Sequence, residues 1–270
     1  MRFLPTVLCA ALLALPVRAA EPPAADTAAE RLGYAFEYPR VLAQQRIFGL
    51  AHGVALLAAA CMDVPESAEA AQLAYSAWRQ RQQEAIDTAT AELSAYYRPV
   101  GNVDTEWQDV AKFMHLRDAL PYEAASPELQ AACATLPEAL ARPRYDLAQQ
   151  FRLEELMARV LAAVDLEARH KYCRERFDEA ARRVHEARYA VWGEINDPLR
   201  REAEDTLARE WPADGPAASY ADWLAEAVAA IRVGGSRRDC QRFSATLKQP
   251  ETALRNAFQM PPAAAAGNTK

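Results

Sequence analysis

Few side chains in this sequence have the types and spacing for chemistry. Glu167 and His170 stand three apart in EARHKYC, which sets a carboxylate and an imidazole on one helical face, as the ligands of a di-metal helical bundle are set. Such a site takes a second Glu-x-x-His pair, and none of His52, His115 or His185 has a glutamate three residues before it. The lone pair therefore reads as an exposed polar face. His185–Glu186 opens like the helix of a zinc protease, but Tyr189 occupies the second histidine position. The chain has no Gly-x-Ser-x-Gly elbow and no glycine-rich phosphate loop. Gly234-Gly235-Ser236-Arg237-Arg238 has the makings of an anion cradle, but also of an ordinary turn and helix start, which is the reading taken here. No catalytic residue, cofactor site or metal site is expected.

The cysteines carry more information. Cys133 and Cys240 are each followed by leucine at +7, proline at +10 and leucine at +14: Leu140, Pro143 and Leu147, then Leu247, Pro250 and Leu254. Upstream, Tyr75 and Trp78 in AYSAWRQRQ match Tyr189 and Trp192 in RYAVWGEIN, and each pair follows another cysteine, Cys61 or Cys173. Trp107 and Trp223 add a weaker third match. The order is the same in both halves, which predicts a tandem duplication. A copied unit that folded before it was copied must close its own bridge, so the expected pairs are Cys61–Cys133 and Cys173–Cys240, each contributing about 4 kcal/mol in the chain-entropy model. His170 lies three residues before Cys173, yet no cysteine pair has close ligand spacing, and zinc is set aside.

The elements that position these residues are helices. Alanine and leucine abound, strand-like alternation is scarce, and EARHKYCRERFDEAARRVHEAR has arginine and glutamate at helical spacing. The expected fold is all-α: two tandem units of about four helices, over residues 34–148 and 149–258. Turn signals divide them at 64–67, 98–102, 121–128, 197–199, 211–216 and 233–236. Phe177, Ala181, Val184, Arg188, Val191 and Ile195 step by three or four and mark an apolar stripe. The Tyr/Trp pairs are assigned to the core. Ile47–Met62 is apolar but short and contains His52, so a buried core helix is expected rather than a membrane span. No Gly/Ser linker separates the units, which are expected to pack with little hinge freedom.

The N-terminus has Arg2, an apolar run from Phe3 to Val17 and small residues at Ala19 and Ala20, the pattern of a signal peptide over 1–20 removed near Ala19–Ala20. Leu8 before Cys9 does not suit a lipobox. Residues 21–33 and 259–270 lack bulky apolar groups and are expected to be a disordered linker and tail. Without the leader, 37 acidic side chains outnumber 29 basic ones, which argues against a nucleic-acid partner. Export and an even set of four cysteines point to an oxidising compartment, the periplasm.

These features lead to an exported, disulfide-stabilised module that binds another cell-envelope protein, as an inhibitor, immunity factor, adaptor or scaffold. Trp211, set before Pro212 in a turn and without a counterpart in the first unit, is the candidate partner contact. The alternative is an enzyme or small-ligand carrier with its site in the groove between the units, lined by the Tyr/Trp helices and His170 or His185.

Overall fold

Six of the α-helices have a legible start. The computed structural model describes residues 32–97, 107–123, 126–213, 215–249 and 252–261, and among them are eight α-helices and no strand. In order they are α1 Pro39–Ala60, α2 Ala68–Tyr97, α3 Trp107–Phe113, α4 Pro127–Ala139, α5 Leu147–Arg174, α6 Glu179–Glu210, α7 Tyr220–Ala230 and α8 Arg237–Thr246. Proline begins α1 and α4, where its missing N–H costs nothing. Ser126, Asp146, Asp178, Ser219 and Ser236 accept a backbone N–H at the starts of α4 to α8, each cap contributing about 1 kcal/mol. At α8, Ser236 and Asp239 close a reciprocal capping box, so the Gly234–Arg238 stretch is a turn and a helix start.

Two disulfides tie the ends together. Cys61, at the end of α1, joins Cys133 in α4, and Cys173, in the last turn of α5, joins Cys240 in α8. The two halves also make a matching pair of hydrogen bonds. Trp78 Nε1 donates to the Tyr145 carbonyl at 2.7 Å, and Trp192 Nε1 to the Thr252 carbonyl at 2.8 Å. One turn on, Gln82 Oε1 accepts from Leu147 N at 2.9 Å, and Asn196 Oδ1 from Leu254 N at 2.8 Å. Trp78 and Trp192 are buried, as are Leu140, Leu247, Leu147 and Leu254. The repeated leucines thus close each half from beneath its tryptophan.

The first half has one continuous core built on Phe48, Trp78, Ile86, Leu93, Leu136 and Leu147. The second half divides its apolar contacts among separate clusters, around Leu153 and Leu207, around Trp192 and Leu247, and around Cys173 and Phe177. Ala43 of α1, Ala158 of α5 and Phe258 join the halves, and the described residues fall in one compact unit. Helix α1 is the one described helix long and apolar enough to cross a membrane. It packs on α2, α4 and α5, with Gln44 and Gln45 buried and hydrogen-bonded, which accounts for its apolar composition.

Four expectations are corrected. Most of the stripe faces solvent: Val184, Val191 and Ile195 are 50, 53 and 61 % exposed, whereas Phe177 and Ala181 pack beside the second disulfide. The buried line, His185, Trp192 and Asn196, is the next residue along in each case, a 100° rotation about the helix axis. Burying a tryptophan and its hydrogen bonds outweighs burying valines, so the larger side chains set the face. The turn expected at 197–199 does not occur, because α6 runs through with Pro198 inside it; Pro198 is exposed, leaving the carbonyl it cannot serve within reach of water. Gly33, read as linker, is held by Phe113, Gln45 and Tyr97. Met260, read as tail, packs on the first core. The leader with Cys9, most of the segment read as linker, the rest of the tail, the 98–102 turn and Pro250 lie outside the described residues.

Candidate functional site

A groove of about 630 Å³ lies where the start of α1, the face of α5 and the turn after α6 meet. Its walls are mostly apolar: Leu42 from α1, Leu153, Met157 and Leu161 from α5, and Trp211 and Trp223 from the end of α6 and from α7. Phe36, 77 % exposed, stands on the rim. Polar groups are few and already partnered. Arg46 pairs with Glu154 across α1 and α5, and Asp165 is held by Arg169 at 2.7 Å. Volume and composition match sites that take an apolar ligand fixed by a few polar groups.

Trp211 is placed by a tight turn. It ends α6, its Nε1 donates to the Ala217 carbonyl at 2.9 Å, and its ring lies 5.7 Å from Trp223 and 5.9 Å from Tyr220. Gly215 permits this fold-back: a Cβ there would stand 3.0 Å from the Pro212 carbonyl and 3.1 Å from Trp211 Nε1. Trp211 is half-buried, with one face on the aromatic cluster and the other on the groove. Tyr97 follows Trp78 by 19 residues, as Trp211 follows Trp192.

The histidines are elsewhere. His170 and His185 are 9 % and 0 % exposed, in the core of the second half and not in the groove, so neither the exposed face nor the groove lining expected of them is found. His170 Nδ1 and His185 Nε2 meet at 3.0 Å. The His170 ring stacks on Tyr189 at 3.7 Å, and His185 lies edge-on to Phe177 and Phe243. Burial pushes His170 down to about 4, with His185 and Arg174 adding to the shift and Glu186 and Glu167 opposing it. Burial also lowers His185, offset in part by the His170 backbone. Both are neutral at pH 7, and His185 Nδ1 has no hydrogen-bond partner among the described residues. Glu167 turns away to Lys171 and Arg200, which hold its carboxyl below its ordinary value. No cluster of three metal-ligating side chains occurs among the described residues.

Met157, Leu161 and Trp223 escape motif reading because apolar residues on a helix look the same whether they face a core or a groove. No protein-family model, no curated protein and no solved structure matches this chain, so the groove's role has to be read from its own chemistry.

Proposed function

We propose that this is a protein-binding module of the bacterial periplasm, built from two duplicated helical units and taking an apolar segment of another cell-envelope protein in the groove beside Trp211. The groove is the observation that carries the reading. It offers two tryptophans, a methionine and leucines in one concave surface, the composition of an interface centre, and its carboxylates are neutralised by arginines. The buried histidine pair cannot reach a substrate there, which weighs against the enzyme alternative. The two disulfides fit an oxidising, exported setting. Duplication is supported by the matched Trp-to-carbonyl and Gln/Asn-to-leucine bonds.

The test is a photo-crosslinking side chain at Leu161, with one at the exposed Asp87 of α2 as control, in bacteria exporting the protein. A partner crosslinked at Leu161 but not at Asp87, and lost in Trp211→Ala, is the expected result. Leu161→Arg serves as a second groove-blocking variant should Trp211→Ala unfold. The groove's size also suits a small apolar ligand, and that reading is distinguished by native mass spectrometry. A low-mass adduct lost with Leu161→Arg, and no protein crosslink, would replace the protein partner with a carried ligand.

A further inference from the structure

The first half holds a peptide segment of its own with residues whose spacing matches part of the groove wall that the second half contributes. The segment before α1 is not helical, and it is gripped through its main chain. Ala35 N donates to Gln45 Oε1 at 3.0 Å, Gln45 Nε2 donates to the Gly33 carbonyl at 2.9 Å, Tyr97 Oη donates to the same carbonyl at 2.8 Å, and Gly33 N donates to the Phe113 carbonyl at 2.9 Å. Gln45 stands 16 residues before Cys61, and Met157 stands 16 before Cys173. Tyr97 and Trp211 stand 19 residues after Trp78 and Trp192. The two residues that grip the segment in the first half therefore correspond to two that line the groove in the second.

We infer that the groove docks an extended segment of a partner protein, which seats one bulky apolar side chain between Met157 and Trp211. The inference rests on the protein-binding reading above and names what is bound. An amide and a phenol that grip a backbone have become a thioether and an indole whose N–H is already committed to Ala217. The exchange removes main-chain recognition and supplies apolar contact, suited to a side chain. A helix, about 11 Å across, would fill the whole volume with little more than one turn. An extended chain fits one side chain and its neighbours. Phe36 and Pro39, from the segment the first half holds and the start of α1, line the groove as well, so a second segment would lie beside the first.

The probe is a phage-displayed library of short random peptides selected on the immobilised mature protein. The comparator is the double variant Met157→Gln, Trp211→Tyr, which installs the first half's pair, and its folding is checked by circular dichroism and disulfide mapping. Wild type is expected to enrich peptides sharing one tryptophan, phenylalanine or leucine in a non-helical context. A synthetic copy should lose at least tenfold in affinity when that residue becomes alanine, and as much on the double variant. If the double variant unfolds, Leu161→Arg takes its place with the same expected loss. No enrichment, enrichment of amphipathic helices, or binding that ignores the groove variants overturns the inference. The Leu161 crosslink separates the two levels: a partner crosslinked there without peptide enrichment leaves the protein-binding reading standing and removes the extended-segment one. A crosslink to residues 21–31 or 262–270 of the same chain, or to a second copy, would give the groove to the chain itself and overturn both.

Discussion

The halves of this molecule share a frame and differ in what fills it. Each ties its first helix to its fourth by a disulfide, and each hangs a tryptophan N–H on a carbonyl beyond the fourth helix. Yet Ala58 stands three residues before Cys61 where His170 stands three before Cys173, and Ala71 stands seven before Trp78 where His185 stands seven before Trp192. Both members of each pair are buried. By the same kind of spacing, Gln45 and Tyr97, which lock down the chain's own segment, match Met157 and Trp211, which line an open groove. The first half has a single continuous core and the second several small ones. The first half thus has the more continuous core, while the second contributes most of the groove wall and encloses the buried histidine pair.

The largest expected effect tests the shared frame. Closed loops of 72 and 67 residues imply about 4 kcal/mol for either bridge, so Cys61→Ser/Cys133→Ser and Cys173→Ser/Cys240→Ser should each lower the thermal midpoint by about ten degrees or more. A clearly larger loss for the second pair would measure its thinner core, and no loss for either would remove the covalent frame from the account. Next come the tryptophans. Trp78→Ala and Trp192→Ala should each cost about 3–5 kcal/mol in denaturant unfolding, from the cavity and the orphaned carbonyl. Unequal costs would show that the matched bonds are not energetically equivalent.

The histidine pair sharpens the contrast through pH. The folded-state value of His170 is about 4 and that of His185 is also lowered, whereas an unfolded histidine titrates near 6.5. Between these values the unfolded chain binds more protons, so the stability contributed by His170 is fully present above about 6.5 and is lost as pH falls toward 4, by up to about 1.4 kcal/mol per pH unit, and His185 acts in the same direction. Amide exchange should show α5 and α6 loosening across that window before α1 and α2. The double variant His170→Ala, His185→Ala, which copies the first half, should flatten the profile; an unchanged profile would place the titration elsewhere. The smallest effect concerns the exposed stripe on α6. Val191→Glu and Ile195→Glu should change stability by no more than about 0.5 kcal/mol, whereas Ile86→Glu, buried in the first core, should prevent folding.

Much of the frame was legible before any coordinate, because composition, cysteine number and turn residues act locally. The helices, the disulfide bonds and the burial of Trp78 and Trp192 follow from such signals. The α6 stripe was misread because two apolar lines lie one residue apart on that helix, and periodicity alone cannot rank valine and isoleucine against tryptophan, tyrosine and histidine. The 197–199 turn does not form because the exposed Pro198 leaves its unpaired carbonyl to water, and the packing of α6 on either side outweighs the cost of a proline inside the helix.

By itself, the sequence determined an all-helical chain with disulfides, since propensity and cysteine chemistry need no knowledge of what packs on what. Only the tertiary structure decided which faces are covered. His170 and His185, 15 residues apart, become a sealed pair when α5 meets α6. Leu42, Met157 and Trp211, on three elements far apart in the chain, become one groove. Both outcomes depend on contacts between distant segments, whose closeness is set by the packing of whole helices and leaves no local mark on the residues that meet.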